Sequence, residues 1–258
     1  MRRPSPAIHS SAVGFDRAGA DYERGRPGYP PDAVELLTRE LEIGAGRRVV
    51  DLAAGTGKLT RALAPCHASI VAVEPVAGMR EQLVGAVPGI EVLDGTAERI
   101  PLQDASIDTV LVAQAFHWFD APRAVVEIHR ILRPGGGLGV IWNSWHESIG
   151  WVARLQERVR RHVGDTPQQR SSPWRAELEA SGLFTSSTEQ VIPNLVRGEL
   201  DALLARVSSV SYIASLEPTQ RAALLADVQR IVAEAPETRR RHELEMPYLT
   251  HVVTARRR

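Results

Sequence analysis

The chain has 258 residues, of which 43 % are hydrophobic and 24 % charged, as is typical of a globular protein with one domain or one elaborated domain. Lys and Arg (31) balance Asp and Glu (31), so the formal net charge is zero, which disfavours nucleic acid as a partner. No apolar run approaches the roughly 20 residues of a membrane span. The single cysteine, Cys66, excludes an internal disulfide and a cysteine metal cluster. We therefore predict a cytoplasmic protein without a metal site or membrane contact.

The first half of the chain alternates between strand and helix patterns. Residues 1–14 are rich in Pro, Ser and small residues and are predicted to form a flexible tail. Apolar spacing predicts a helix over 32–41. Predicted strands follow at 48–52, 70–74, 90–93, 108–113 and 137–142, with helices between them. This order predicts the right-handed crossovers of a parallel sheet.

The pattern changes after residue 145. Helices are predicted at 151–163 and 174–183, a strand at 186–196, a long helical stretch at 200–235 broken at Pro218, and a last strand at 241–255. The expected fold is α/β: a doubly wound, mostly parallel sheet of seven strands with an antiparallel edge strand. The helices at 200–235 are inserted before the last strand, either as a cap that selects the acceptor or as a bundle that only packs.

A Gly-rich turn follows the first predicted strand. The strand ends at Asp51-Leu52 and continues into Ala53-Ala54-Gly55-Thr56-Gly57, while the next strand ends at Glu74. Open α/β sheets bind nucleosides at the carboxyl ends of their strands, and turn glycines permit close approach of the backbone. A carboxylate such as Glu74 can accept hydrogen bonds from both ribose hydroxyls.

Two cofactors compete for this turn. The dinucleotide fingerprint G-x-G-x-x-G lacks its third glycine here, and the Asp51 carboxylate would repel a pyrophosphate. S-adenosylmethionine carries an ammonium, a sulfonium and no phosphate. The acidic turn therefore favours S-adenosylmethionine over a nicotinamide cofactor.

Five segments in order resemble the motifs of class I S-adenosylmethionine-dependent methyltransferases, which have a Rossmann-like fold. They are 49–57, 71–75, 94–102, 106–114 and 132–138. The entry segment at 15–30 and Ala115-Phe116-His117-Trp118-Phe119 resemble the small-molecule enzymes of the trans-aconitate methyltransferase-like group. The resemblance implies a cofactor-binding core over 15–145, and 146–258 as the C-terminal part of the same domain.

The resemblance also implies which residues bind the cofactor. These are Tyr22, Arg26, Asp51, Ala53, Gly55, Gly57, Glu74, Pro75, Met79, Thr96, Ala97 and Gln114. Two of them depart from the family pattern: Ala53 stands where glycine is commonest, and Thr96 where an Asp often accepts from the adenine amino group. A Thr hydroxyl accepts that hydrogen bond more weakly. Pro75 and Met79 are expected against adenine, or alternatively in the ordinary core.

Candidate catalytic residues follow the fourth strand. Gln114 lies nearest the expected position of the transferred methyl group, and His117 has a suitable pKa range for a general base. The alternative is that His117 only stacks on Trp118. Predicted acceptor-pocket residues are Tyr29, Trp118, Trp142, Trp145, Ser209 and Tyr212, and possible clamps for an acceptor carboxylate are Arg26, Arg154, Arg158 and Arg197.

The sequence thus predicts a metal-independent methyltransferase (EC 2.1.1.-) that uses S-adenosylmethionine and releases S-adenosylhomocysteine. The expected acceptor is a small molecule methylated at a carboxylate or hydroxyl oxygen, and the expected assembly is a monomer or homodimer. Two alternatives stay open: a cofactor-binding protein without turnover, and a nicotinamide-dependent oxidoreductase.

Overall fold

The structure is a computed structural model that describes residues 26–168 and 172–258. Within these ranges the chain forms two compact units. The sheet body comprises Gly28–Asn143, Pro167–Ile192 and Thr250–Arg258, and the helical body comprises 26–27, Ser144–Thr166 and Pro193–Leu249. The predicted tail at 1–14 and the candidate Tyr22 lie outside the described residues.

The described strands and helices follow the predicted order. The strands are β1 (Arg48–Leu52), β2 (Ser69–Val73), β3 (Glu91–Leu93), β4 (Ile107–Ala113), β5 (Leu132–Trp145), β6 (Thr188–Gly198) and β7 (Leu244–Arg256). The helices are α1 (Pro31–Glu40), α2 (Lys58–Leu63), α3 (Ala77–Ala86), α4 (Ala121–Ile131), α5 (Gly150–Arg160), α6 (Trp174–Ala180), α7 (Leu200–Ser208), α8 (Ser211–Ala214) and α9 (Pro218–Glu234). Each predicted strand and helix has a counterpart, with ends that differ by up to several residues.

The strands form one sheet in the order β3-β2-β1-β4-β5-β7-β6. Strand β1 pairs in parallel with both β2 and β4. Strands β2 and β3 are added on one side of β1 and strands from β4 onwards on the other side, so the strand order reverses between β1 and β4. Open α/β sheets bind ligands at such a reversal, beside the carboxyl ends of the strands. The turn after β1 lies at this position.

Strand β7 is antiparallel to both of its neighbours. Backbone bonds join the His146 N–H to the Pro247 carbonyl and the Arg257 N–H to the Gly136 carbonyl, so residue numbers rise along β5 as they fall along β7. Strand β6 is antiparallel to β7, because the Thr188 hydroxyl lies 2.9 Å from the Thr254 hydroxyl whereas Arg197, near the end of β6, pairs with Glu245, near the start of β7. The predicted mostly parallel, seven-stranded Rossmann-like sheet is therefore confirmed, with its antiparallel pairing at the β7–β6 edge.

Each body has its own apolar core. In the sheet body, Phe116, Ile128 and Leu138 are among the fully buried side chains on one side of the strands, and Leu37 and Leu59 belong to a second cluster. The packing is close: a Cβ on Gly139 would lie 2.6 Å from Leu111 Cδ2. The core of the helical body is built around α5, α7 and α9 with the adjoining ends of β5 and β7. These cores fix the strand ends from which the candidate site residues project.

The stretch at 200–235 differs from the simple prediction of one helical run broken at Pro218. It contains three helices, because the chain also leaves the helical conformation around Ser209 and Val210. Pro218 begins α9, where its missing N–H costs no helical hydrogen bond. No described helix is long and apolar enough to cross a membrane.

Candidate active site

The turn after β1 adopts left-handed backbone conformations that suit glycine. Gly55 has φ of 57° and Gly57 has φ of 81°. Ala53 also has a positive φ, 57°, so the family glycine that it replaces would fit this position with less strain. A Cβ on Gly55 would meet only Met79 Sδ, at 3.8 Å. The turn therefore leaves open backbone beside the ends of β1 and β2.

Asp51 is fully buried on β1, immediately before this turn. Its Oδ2 accepts a 2.6 Å hydrogen bond from the Thr60 hydroxyl, while its Oδ1 is out of solvent and accepts no hydrogen bond from the described residues. Burial raises the pKa of Asp51 to about 7, with a smaller contribution from the charge of Glu74 and opposed by the bonds from Thr60. A nearby cation would lower this pKa and satisfy Oδ1.

Replacing Asp51 by Asn is expected to raise the melting temperature in a pH-dependent way. A carboxyl whose pKa is higher in the folded state stabilises the fold at low pH, and this contribution is lost as the pH rises from about 3.8 to about 7. Asn carries no charge and can still accept the Thr60 bond, so its advantage over wild type should grow across this range and level off above it. Each kcal/mol corresponds to about 2–4 °C in a protein of this size.

Thermal denaturation of both proteins between pH 5 and pH 9 checks this expectation. The matched control is replacement of the exposed Asp165 by Asn. A constant difference between Asp51→Asn and wild type across the range would contradict the raised pKa.

Glu74 links the turn to the end of β2. Its Oε2 accepts the Gly55 N–H and its Oε1 accepts the Val76 N–H, each at 2.9 Å. The pKa of Glu74 is raised by burial, against the effect of these two backbone bonds. A carboxylate offers about four lone-pair directions, so both oxygens retain capacity to accept from hydroxyls.

Arg80, on α3, holds the backbone that follows Glu74. Its Nη1 donates to the carbonyls of Glu74 and Pro75 at 2.9 and 2.8 Å, and the same guanidinium pairs with Asp94 after β3. The sequence analysis did not select Arg80, because a single arginine on a helix carries no local signal of contacts with two strand ends. The carboxyl ends of β2 and β3 are thereby held together.

The Thr96 segment after β3 forms a tight turn. The Thr96 N–H donates to the Arg99 carbonyl, and the Thr96 hydroxyl is out of solvent and without a hydrogen-bond partner among the described residues. Ala97 is buried beside it. A Cβ on Gly95 would lie 2.5 Å from Pro101 Cδ, so this turn requires glycine. Thr96 thus has an unused acceptor of the kind predicted for the adenine amino group.

The region after β4 contains Gln114 and the short 3₁₀ helix Phe116–Trp118. Gln114 has φ of 59°, its N–H donates to the Ile141 carbonyl, and its side-chain amide lies 3.4 Å from the Asn143 carbonyl. The centres of the His117 and Trp118 rings lie 4.8 Å apart, with the ring planes tilted by 41°. The backbone strain at Gln114 marks this position as one that the surrounding structure enforces.

The predicted acceptor-pocket residues fall into two groups. Tyr29, Trp118 and Trp142 belong to the sheet body, where Trp142 stacks on His251 at 4.7 Å. Trp145, Ser209 and Tyr212 belong to the helical body, together with Arg26. Within the sheet body, Trp118 and Trp142 pack against the main core cluster and Tyr29 packs against the second one, whereas Trp145 and Tyr212 share the core of the helical body.

Most of the arginines considered as carboxylate clamps are paired with acidic side chains. Arg158 contacts Asp227 at 2.5 Å, Arg154 contacts Glu234 at 3.6 Å, and Arg197 contacts Glu245 at 3.1 Å. The structure instead places Arg206, which the sequence analysis missed, against Trp145 and Tyr248. Helical spacing alone treats Arg206 as a surface or packing residue, so no sequence signal singled it out.

These residues fit the functional groups of S-adenosylmethionine. Asp51 offers a buried carboxylate to a cation, Glu74 offers lone pairs to ribose hydroxyls, and the Thr96 hydroxyl offers an acceptor to an amino group. Met79 is buried next to Gly55, so its thioether borders the same turn. The donors and acceptors of the turn thus match a cationic nucleoside better than a pyrophosphate.

Comparison with known proteins agrees with this arrangement. Residues 50–140 match the family model described as a methyltransferase domain. An uncharacterised methyltransferase of Mycobacterium tuberculosis is 40 % identical over 244 residues, which are 95 % of this chain and 96 % of the relative. The chain belongs to the methyltransferase family. An uncharacterised methyltransferase of Schizosaccharomyces pombe is 31 % identical over 90 % of this chain and 92 % of its own length.

Solved methyltransferases share the fold. A putative type II methyltransferase from Anaeromyxobacter dehalogenans has a TM-score of 0.66 at 23 % identity, covering 90 % of this chain and 97 % of its own. Phosphoethanolamine N-methyltransferase 2 of Haemonchus contortus, in complex with phosphomonomethylethanolamine and S-adenosylhomocysteine, has a TM-score of 0.60 at 14 % identity, covering all of this chain and 62 % of its own. The predicted resemblance to class I methyltransferases is confirmed at the level of family and fold.

Proposed function

We propose that this methyltransferase uses S-adenosylmethionine to methylate an oxygen atom of a small-molecule acceptor. The observation that carries the cofactor assignment is the presence of two carboxylates, Asp51 and Glu74, at the same turn. Glu74 accepts the Gly55 N–H, and Asp51 Oδ1 is buried without a hydrogen-bond partner among the described residues. S-adenosylhomocysteine bound to the Haemonchus contortus enzyme of the same fold is in keeping with this assignment.

The bound cofactor would supply a methyl group on a positively charged sulfur. The chain's own contribution is to bind and orient the reactants, because methyl transfer is an in-line displacement that gains chiefly from proximity. Gln114, fixed by Ile141 and Asn143, is proposed to line the position of the transfer. A carboxylate acceptor needs no base, whereas a hydroxyl acceptor must lose a proton, for which His117 is the candidate.

The proposed acceptor is a small molecule, because the chain carries no excess of positive charge. The 31 basic residues are balanced by 31 acidic ones, and in the described residues many arginines are engaged by carboxylates. A nucleic-acid substrate would favour an excess of basic side chains. A cytoplasmic location is proposed because a chain with a single cysteine needs no oxidising compartment, and the proposed assembly is a monomer or homodimer.

Isothermal titration of the purified protein with S-adenosylhomocysteine and S-adenosylmethionine tests the cofactor assignment, with NADH as the control. We expect micromolar binding of both sulfur compounds and no heat with NADH. The absence of binding by both sulfur compounds, or the binding of NADH, would overturn the proposal. Carboxylic acids and phenols are then screened as acceptors, and turnover is measured as the release of S-adenosylhomocysteine.

Replacing His117 by Ala is expected to separate the two acceptor classes. For a hydroxyl acceptor kcat should fall by about 100-fold or more, which is the usual loss on removal of a general base. For a carboxylate acceptor kcat should stay within about twofold, because the nucleophile is already ionised. His67→Asn, at an exposed position with φ of 55°, is the control. Unchanged kcat with a hydroxyl acceptor would remove His117 from the mechanism.

A further inference from the structure

A buried polar pair joins β5 to β7 inside the sheet body. The backbone bonds between these strands set a register in which Asn143 lies opposite Thr250. Thr250 is 0 % exposed, and Asn143 is also buried. The Thr250 hydroxyl donates to Asn143 Oδ1 at 2.5 Å. Because a buried hydroxyl or amide is costly unless it is hydrogen-bonded, this pair constrains how the two strands meet.

The same hydrogen bond fixes the orientation of the Asn143 amide. Its Oδ1 accepts from Thr250, and its Nδ2 donates to the Gly28 carbonyl at 3.0 Å. In the reverse orientation the amide oxygen would face the Gly28 carbonyl, and two acceptors cannot form a hydrogen bond. The Thr250 hydroxyl thereby ties the end of β5 to the segment that precedes α1.

This pair lies at the edge of the sheet where the parallel strands end. In the register of β4 and β5, Asn143 extends two residues beyond the end of β4. In the register of β1 and β4, Gln114 is level with Ala54 in the turn after β1. Open α/β sheets bind ligands at this edge, where the strand order reverses. Gln114 therefore borders the candidate site, with Asn143 next to it.

Gln114 forms its hydrogen bonds with the end of β5. Its N–H donates to the Ile141 carbonyl at 2.9 Å, and its Nε2 donates to the Asn143 carbonyl at 3.4 Å. Its φ of 59° is a conformation that a residue other than glycine keeps only where the surrounding structure enforces it. The position of the end of β5 therefore determines the position of Gln114.

We propose that Thr250 and Asn143 are positioning residues of the candidate active site, which hold Gln114 in the place where it contacts the ligand. Without the Thr250 hydroxyl, the Asn143 amide loses the bond that orients it, and the end of β5 is free to shift. A ligand at this edge would have to reverse that shift on binding, so its affinity would fall. The naming of the ligand as S-adenosylmethionine rests on the proposed function, whereas the holding of Gln114 does not.

Calorimetric titration with S-adenosylhomocysteine compares wild type with two variants of Thr250. Thr250→Val keeps the shape of the side chain and places a methyl group against Asn143 Oδ1, so it should weaken binding by about fivefold or more. Thr250→Ser keeps the hydroxyl and should restore the affinity to within about twofold of wild type. The melting temperature of each variant is measured on the same samples.

Thr254→Val is the matched control. It removes a hydroxyl from the same strand, where Thr254 lies 2.9 Å from Thr188 rather than next to Asn143. It should change the affinity for S-adenosylhomocysteine by less than about twofold, because it lies away from the candidate site.

Hydrogen exchange reports on Gln114 in the absence of any ligand. The Gln114 N–H, followed by mass spectrometry in peptides that cover 110–118, should exchange faster in Thr250→Val than in wild type. Thr250→Ser and Thr254→Val should exchange at the wild-type rate. If Thr250→Val does not fold, Asn143→Asp takes its place. That variant keeps the acceptor for Thr250 but sets an oxygen against the Gly28 carbonyl, so the same two changes are expected.

The two measurements separate this inference from the proposed function. A lower melting temperature with unchanged exchange would overturn the inference, because the hydroxyl would then serve stability alone. An equal loss in Thr250→Ser would overturn it as well, since packing rather than the hydroxyl would be responsible. Faster exchange with full affinity for S-adenosylhomocysteine would overturn the link to the ligand. If wild type does not bind S-adenosylhomocysteine while Gln114 responds as expected, the proposed function fails and the positioning of Gln114 is retained.

Discussion

Replacing Glu74 by Gln is expected to lower the affinity for S-adenosylhomocysteine by at least about 100-fold. Two charge-assisted hydrogen bonds from ribose hydroxyls would be lost, and each contributes about 1.5–3 kcal/mol. Gln also presents an amide N–H₂ where one carboxylate oxygen now accepts from Gly55 or Val76, each at 2.9 Å. The turn would therefore lose one of the backbone hydrogen bonds that Glu74 accepts, in addition to the carboxylate that would accept from the ribose.

Calorimetric titration of wild type and Glu74→Gln with S-adenosylhomocysteine measures this loss. The control is Glu81→Gln, which removes an exposed carboxylate from the same segment, on α3. The pKa of Glu74 is raised by burial, so removal of the charge itself favours folding, whereas the hydrogen bond lost from Gly55 or Val76 opposes folding; the melting temperature of the variant is therefore measured together with its affinity. Wild-type affinity in a Glu74→Gln protein that melts normally would rule out the ribose assignment.

Replacing Phe116 by Ala is expected to cost about 3–5 kcal/mol in the free energy of unfolding. Phe116 is 0 % exposed and belongs to the main core of the sheet body. Its ring centre lies 4.8 Å from that of Trp174 and 5.2 Å from that of Phe119. The cavity left by the ring is bounded by strands and helices that cannot close around it, so the melting temperature should fall by about 10 °C.

Urea denaturation of Phe116→Ala and wild type checks this expectation. Val126→Ala, on the exposed face of α4 where the side chain is 58 % exposed, is the matched truncation and should cost less than about 1 kcal/mol. A loss below about 1 kcal/mol for Phe116→Ala would show that the ring is not part of the core. His117 and Trp118 follow directly in the chain, so the same variant would also reduce catalysis if the short helix shifted.

The sequence predicted those parts of the molecule that depend on local pattern. Strand β1 is a short apolar run between two glycine-containing turns and β4 is a longer apolar run, and the order of strand and helix patterns alone predicts the crossover sheet. The position of Asp51 and Glu74 at the same edge of the sheet was also predictable, because neighbouring parallel strands end at the same edge. These inferences need only the spacing of residue types.

Contacts between distant segments were not predictable in this way. Arg80 reaching the end of β2, and Arg26 meeting the turn after α7, depend on how separate segments fold against each other. The pairing of Arg158 with Asp227 likewise joins α5 to α9. A side chain that is flexible in four torsions carries no sequence signal of its final partner, so the arginines were the least predictable part of the candidate site.

The discontinuous make-up of the sheet body has a consequence for synthesis of the protein on the ribosome. Val252, Val253 and Ala255 are buried, although they are translated after nearly all of the residues that they contact. Strand β5 therefore lacks its neighbour β7 until most of the chain has been made. Nascent chains that stall before residue 250 would expose apolar strand surface, and such intermediates are the species that chaperones bind and that aggregate.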